Sequence, residues 1–223
     1  MTSFMGMLIT IDGPAGSGKS TVSRKLSEKL GIPFLDTGAL YRALAFFLHR
    51  KNVPSMEGPV LDAELAAVTV KLKTSAVLVN GEDVTQFIRS PRVDAVVSAY
   101  AALPSLRRKL LDLQRDQAGE LGLIADGRDM GTVVFPWATL KIFLTASQEE
   151  RALRRWKELR ERGESCTLEE VLEEVRRRDR IDSEREVAPL RAAPDAVILD
   201  TDGLSIEEVV QRLLDMIAAR RNT

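Results

Sequence analysis

The sequence predicts an α/β fold, a mostly parallel sheet flanked by helices, and three observations predict it. Short apolar runs of strand length alternate with amphipathic helical patterns along most of the 223 residues. A glycine-rich loop joins the first such run to the first such helix. One segment breaks the rhythm with period-two alternation and an Asn-Gly turn, which adds a small antiparallel insert.

The elements follow in order. Met7 to Asp12 is a buried first strand, and Ser20 to Leu30 a helix with Val22, Leu26 and Leu30 on one face. Gly31 stops that helix and Pro33 keeps it from resuming. Leu121 to Ala125, Leu140 to Leu144 and Ala196 to Asp200 are further buried strands. Three later helices begin at capping boxes: Ser147 with Glu150, Thr167 with Glu170 and Ser205 with Glu208. Between Val68 and Thr85 the chain alternates, then places Asn80-Gly81 between Ala76–Val79 and Glu82–Thr85. Both central positions of such a turn need positive φ, which Asn and Gly tolerate best, so a hairpin is expected there.

Composition bounds the function. Apolar residues at 44% and charged residues at 29% describe an ordinary globular protein. The net charge of −1 argues against coating a polyanion, and no nucleic-acid partner is expected. Cys166 is the single cysteine, so there is no internal disulfide and no thiolate metal cluster. The N-terminal run from Met1 to Ile11 is too short to span a membrane and lacks a basic region and a small-residue cleavage site. A cytoplasmic protein with no membrane partner is the expectation.

Gly13-Pro14-Ala15-Gly16-Ser17-Gly18-Lys19-Ser20 matches G-x-x-x-x-G-K-[ST] in full, after a strand and opening a helix. Glycines let successive backbone N–H groups turn inward around a phosphate, and the helix N-terminus, which Thr21 continues, adds partial positive charge. Lys19 then reaches the β- and γ-phosphates of ATP, and the Ser20 hydroxyl is the expected Mg²⁺ ligand. This identifies a P-loop core but not its reaction. A guanine-reading switch would carry an N-K-x-D element, which Asn52, Asn80 and Asn222 do not supply.

Two further segments stand at strand ends, where ligands of open α/β sheets bind. Asp36-Thr37-Gly-Ala-Leu-Tyr41-Arg42 follows Pro33-Phe-Leu35 and fits either a substrate site or merely a capped helix with a solvated arginine. Leu123-Ile-Ala-Asp126-Gly127-Arg128-Asp129-Met-Gly131 delivers polar and flexible residues to the end of a buried strand, which is costly to hold without a ligand. Arginines crowd residues 151–191; many must be solvated and paired with neighbouring glutamates, yet a cleft holding two anionic nucleotides requires several. His49 is the single histidine, placed for packing or a helix end. A phosphate acceptor attacks through an oxygen already ionised, so positioning and charge stabilisation suffice without a general base.

Taken together, ITIDGPAGSGKST, DTGALYR, IADGRDMGTVVFP, KIFL, RID with VAPL, and LSIEEV resemble, in the same order and over nearly the whole chain, the bacterial-type cytidylate kinases of the nucleoside monophosphate kinase family. GRDMGTVVFP is far more specific than the phosphate loop, and the β insert resembles one that sets the longer bacterial enzymes apart from adenylate kinases. The resemblance implies transfer of the γ-phosphoryl group of ATP to CMP or dCMP, with Mg²⁺, by a monomer. It implies that Arg42, Arg128 and Arg185 hold the acceptor phosphate, with Thr37 and Tyr41 beside them. Asp182 matches the carboxylate that binds the acceptor ribose, and Arg178 an arginine near that ribose and phosphate. Ser98, Arg107 and Asp129 match a trio that reads the base. Cytosine presents an amino donor with ring-nitrogen and carbonyl acceptors, and a carboxylate beside an arginine and a hydroxyl complements it. By similarity to such kinases at large, Arg151 and Arg155 touch the donor, with Arg154 equally available in place of Arg155. Ser20 stands where some relatives have glycine and Thr37 where others have serine.

The resemblance also implies one kinase domain over residues 1–223, with a core of 1–39, 119–150 and 179–223. An acceptor lobe with the hairpin spans about 40–118, and a lid about 151–178. Two other readings share the phosphate loop. One is a kinase of a small metabolite such as shikimate or gluconate; the other is a nucleotide-binding switch.

Overall fold

The computed structural model describes residues 6–73 and 76–221. The run ahead of Gly6, and Asn222, lie outside the described residues. In chain order the elements are β1 (Leu8–Asp12), α1 (Lys19–Leu30), β2 (Phe34–Asp36), α2 (Thr37–Arg50), α3 (Pro59–Ala67), β3 (Val70–Lys73), β4 (Ala76–Val79) and β5 (Glu82–Asp83). There follow α4 (Pro91–Ala101), α5 (Pro104–Arg115), β6 (Leu123–Gly127), a π-helical turn (Met130–Val134), β7 (Leu140–Thr145), α6 (Gln148–Glu161), α7 (Leu168–Glu184), β8 (Val197–Asp200) and α8 (Ile206–Arg221). They gather into two compact units.

The first unit comprises Met1–Leu35, Gln117–Glu184 and Ala188–Thr223. Its sheet has the order β2-β6-β1-β7-β8. β1 runs parallel to both β6 and β7, and β7 parallel to β8, so the predicted parallel sheet is present. β1 is buried at all five positions, which is why LITID reads as a continuous apolar run rather than an alternation. Ile9, Ile11, Ile124, Ile142 and Leu144 form the core with Leu26 of α1 and Leu213 of α8. α1 ends as expected: Gly31 sits at φ 67 and donates its N–H to the Ser27 carbonyl at 2.9 Å. β6 begins two residues later than its apolar run suggests. Gly122, at φ 84, donates to Gly119 in a tight turn and so delays the strand.

The helical pair α6 and α7 closes on a small core of Ala152, Val171 and Val175 with Trp156 and Leu159 packed against it. Thr167 and Ser205 form complete capping boxes with Glu170 and Glu208, each hydroxyl and carboxylate answering the other's backbone N–H. The third box is half formed. Ser147 accepts from Glu150 N–H, but the Ser147 N–H goes to Asp202 at 2.9 Å and the Glu150 carboxylate pairs with Arg154.

The second unit comprises Asp36–Asp116 and Arg185–Val187. α2 buries Leu40, Ala43, Leu44 and Leu48 on the face that packs against α4 and β4. β3, β4 and β5 form the antiparallel insert, in that order. Val79 pairs with Glu82 across the two-residue turn, and Asn80 (φ 50) and Gly81 (φ 84) adopt the left-handed conformation the hairpin requires. Among the described residues no helix is long and apolar enough to cross a membrane.

Candidate active site

In the first unit the phosphate loop runs from the end of β1 into α1. Gly13 is required there: at φ 150, a Cβ would fall 2.0 Å from the Leu144 carbonyl oxygen. Lys19 opens α1 almost fully buried, its ammonium donating to the Pro14 carbonyl at 2.6 Å and to Ser17 Oγ at 3.4 Å. Burial holds its pKa well below the usual 10.5, and the nearby Arg128 guanidinium pushes the same way against Asp126, Asp12 and Asp182. A phosphate in the loop would favour the charged ammonium and oppose that shift.

Ser20 Oγ donates to Asp126 Oδ2 at 2.6 Å. Asp126 stands at the end of β6, 2% exposed, beside Ile11 in the register. A hydroxyl and a carboxylate in direct contact at the mouth of the loop form a hard-oxygen donor pair of the kind Mg²⁺ takes together with nucleotide phosphates. Among the described residues no cluster of three His, Cys, Asp or Glu side chains could hold a metal by itself. The sequence marks Asp126 as part of a polar strand end but assigns it no role; its contact with Ser20 spans 106 residues and leaves no local trace.

Arg128 Nε donates to Asp182 Oδ2 at 2.8 Å, and its Nη1 to its neighbour's carbonyl, Gly127 O, at 3.2 Å. Burial works against the guanidinium charge, but Asp182, Asp126 and Asp12 outweigh it and raise its pKa. The arginine is held charged with a carboxylate that the resemblance assigns to the ribose. The next residue, Asp129, is buried, at 2% exposure. Arg178 lies one turn before Asp182 on α7.

Arg151 is 3% exposed and its guanidinium is heavily engaged. Nε donates to Ala146 O and Nη1 to Ala15 O in the phosphate loop, both at 3.0 Å, while Nη1 and Nη2 fork onto Asp179 of α7 at 2.9 and 2.6 Å. Arg154 is tied to Glu150 and to the Thr201 side chain and carbonyl. Arg155 pairs with the more exposed Glu158 at 2.7 Å.

In the second unit Asp36 caps α2 by accepting the Ala39 N–H at 3.0 Å, which sets the buried Thr37 at the helix start. Arg42 donates to Asp94 Oδ1 at 2.6 Å and to Ile88 O at 3.2 Å. The Arg107 guanidinium lies over the Tyr41 ring at 5.2 Å and donates to Ala101 O. Ser98 on α4 and Arg185 are both buried. The unit therefore brings Tyr41 and Arg107 together and orients Arg42 through Asp94, which sequence reasoning passes over. His49 is exposed near the end of α2.

The parallel sheet, the phosphate loop and the carboxylate-braced arginines define a P-loop kinase. A gluconokinase from Sinorhizobium meliloti 1021 shares the fold, with a TM-score of 0.53 over 98% of this chain and 94% of its own, at 16% identity. The cytidylate kinase family model matches residues 9–219. A cytidylate kinase of Thermotoga sp. (strain RQ2) is 47% identical over 98% of this chain and 100% of its own. That of Stutzerimonas stutzeri (strain A1501) is 50% identical over 96% of each. The chain belongs to the cytidylate kinase family.

Proposed function

We propose that the protein transfers the γ-phosphoryl group of ATP to CMP, and to dCMP, giving ADP and CDP or dCDP, with Mg²⁺. The observation that carries this reading is identity near one half to cytidylate kinases from end to end, together with an intact phosphate loop and the pairing of half-buried Arg128 with buried Asp182. An ionised oxygen of the acceptor phosphate attacks the γ-phosphorus in line, one O–P bond forms, and the bond to the β-bridging oxygen breaks as ADP leaves. Lys19 and the loop amides offset charge on the donor side; Arg42, Arg128 and Arg185 hold and offset the acceptor phosphate. Ser20 and Asp126 would hold Mg²⁺, which supplies charge neutralisation on the β- and γ-oxygens.

Asp182 and Arg178 serve the ribose, and Thr37 and Tyr41 flank the acceptor phosphate. Ser98, Arg107 and Asp129 read cytosine. Arg155 faces the donor phosphates and Arg151 the donor side of the loop, a choice supported by the attachment of Arg154 to Thr201. The enzyme acts as a cytoplasmic monomer in pyrimidine nucleotide metabolism. Incubation with γ-labelled ATP and CMP tests the reaction. Label recovered in CDP supports it; label released as inorganic phosphate at a rate indifferent to CMP defeats it.

A further inference from the structure

Asp12 is the last residue of β1 and takes no part in the reaction as described. It is buried at 4% exposure, and both carboxylate oxygens are used: Oδ1 accepts the N–H of Met130 and Oδ2 the N–H of Gly131, each at 2.8 Å. Those two amides open the π-helical turn that follows Arg128 and Asp129. The first N–H groups of any helical turn lack partners within it, so Asp12 caps the turn from a strand more than a hundred residues away.

The cap is not needed to set the sheet. β1 and β6 already share a five-residue register that ends at Asp12 and Gly127. The contact acts beyond the strand end, on the turn itself. The turn also presses on β1, because a Cβ at Gly131 would come within 2.9 Å of Thr10 Oγ1. A carboxylate is a demanding choice for this position. Burial raises its pKa to about 6, with Asp129 adding to the shift and the two N–H donors and Lys19 opposing it. The two N–H groups go to separate oxygens of one short side chain, and asparagine has only one acceptor oxygen.

We propose that Asp12 is a positioning residue for the acceptor side, a clamp that fixes the turn after Arg128 and Asp129 to the strand that delivers the phosphate loop. Through it, acceptor residues keep their place relative to the donor cradle. The inference rests on the proposed reaction with CMP, and wild-type turnover of CMP checks that reading separately.

The test compares Asp12→Asn, Gly131→Ala and the double variant. Steady-state kinetics are measured with CMP and ATP each varied, and binding of ATP alone is measured directly. Expected for each single variant is a KM for CMP raised about tenfold or more, with lowered kcat, while the Kd for ATP alone stays within about twofold. The double variant should be scarcely worse than the poorer single, because both changes release the same turn. The clamp is overturned if ATP and CMP binding weaken together, if neither changes, or if the single effects multiply in the double variant. Should Asp12→Asn fail to fold, Gly131→Ala decides alone: the three atoms nearest its added methyl belong to the side chains of Thr10 and Lys141. Its backbone also needs no left-handed φ.

Discussion

Replacing Arg151 with methionine would remove a heavily bonded buried charge from the first unit while keeping much of its apolar bulk. Four hydrogen bonds are lost: one to Ala146 O, one to Ala15 O and two to Asp179. The Arg151 side chain is 4% exposed and that of Asp179 18% exposed. Breaking a buried ion pair by removing one partner costs about 3–5 kcal/mol, because the other charge is stranded. Asp179 keeps the Gln148 amide at 3.2 Å and some access to solvent, which places the cost near the low end, about 3 kcal/mol. For a chain of this length that lowers Tm by about 6–12 °C. Thermal unfolding of ligand-free protein, followed by circular dichroism, measures it. A second variant, Arg151→Met with Asp179→Leu, removes the stranded carboxylate and should recover more than half the loss. A fall below about 2 °C, within the range of a surface ion pair, or no recovery in the double variant would show that Arg151 and Asp179 do not depend on each other as a buried pair.

Other outcomes follow from the same geometry. Lys19→Met should lower kcat by several orders of magnitude while circular dichroism shows an intact fold; a few-fold loss would contradict its role at the transferred group. Asp129→Ala should raise the KM for CMP far more than that for UMP, and equal losses for both acceptors would remove it from base reading. Between its ordinary 3.8 and about 6, native Asp12 keeps a proton that the unfolded chain has released, so this residue makes stability fall as pH rises through that window. Asp12→Asn lacks that slope. Its deficit relative to wild type should therefore shrink from pH 4 to pH 6.5 in urea unfolding, and a deficit that grows would reverse the assignment.

The local signals in the sequence were legible because each is a short-range physical requirement. The phosphate loop, the Gly31 stop and the Asn80-Gly81 turn all depend on backbone conformations that few residues adopt, and they appear where the spacing placed them. The half-formed box at Ser147 shows the limit: the pattern was right, but Asp202, distant in sequence, competed for the same N–H. The π-helical turn after Asp129 was not foreseen. Its first two N–H groups are capped by a carboxylate from another strand, and nothing between Met130 and Val134 announces it. Asp94, Asp126 and Asp179 were missed as partners for the same reason. An aspartate reads identically in sequence whether it faces water or braces an arginine 28 or 52 residues away.

The identity of the phosphoryl acceptor is decided by ADP release from Mg-ATP across a panel of acceptors: CMP, dCMP, UMP, AMP and shikimate. Cytidine nucleotides should turn over fastest by a wide margin, and shikimate not at all. A panel led by AMP or shikimate, or one with no turnover of CMP, would contradict the assignment.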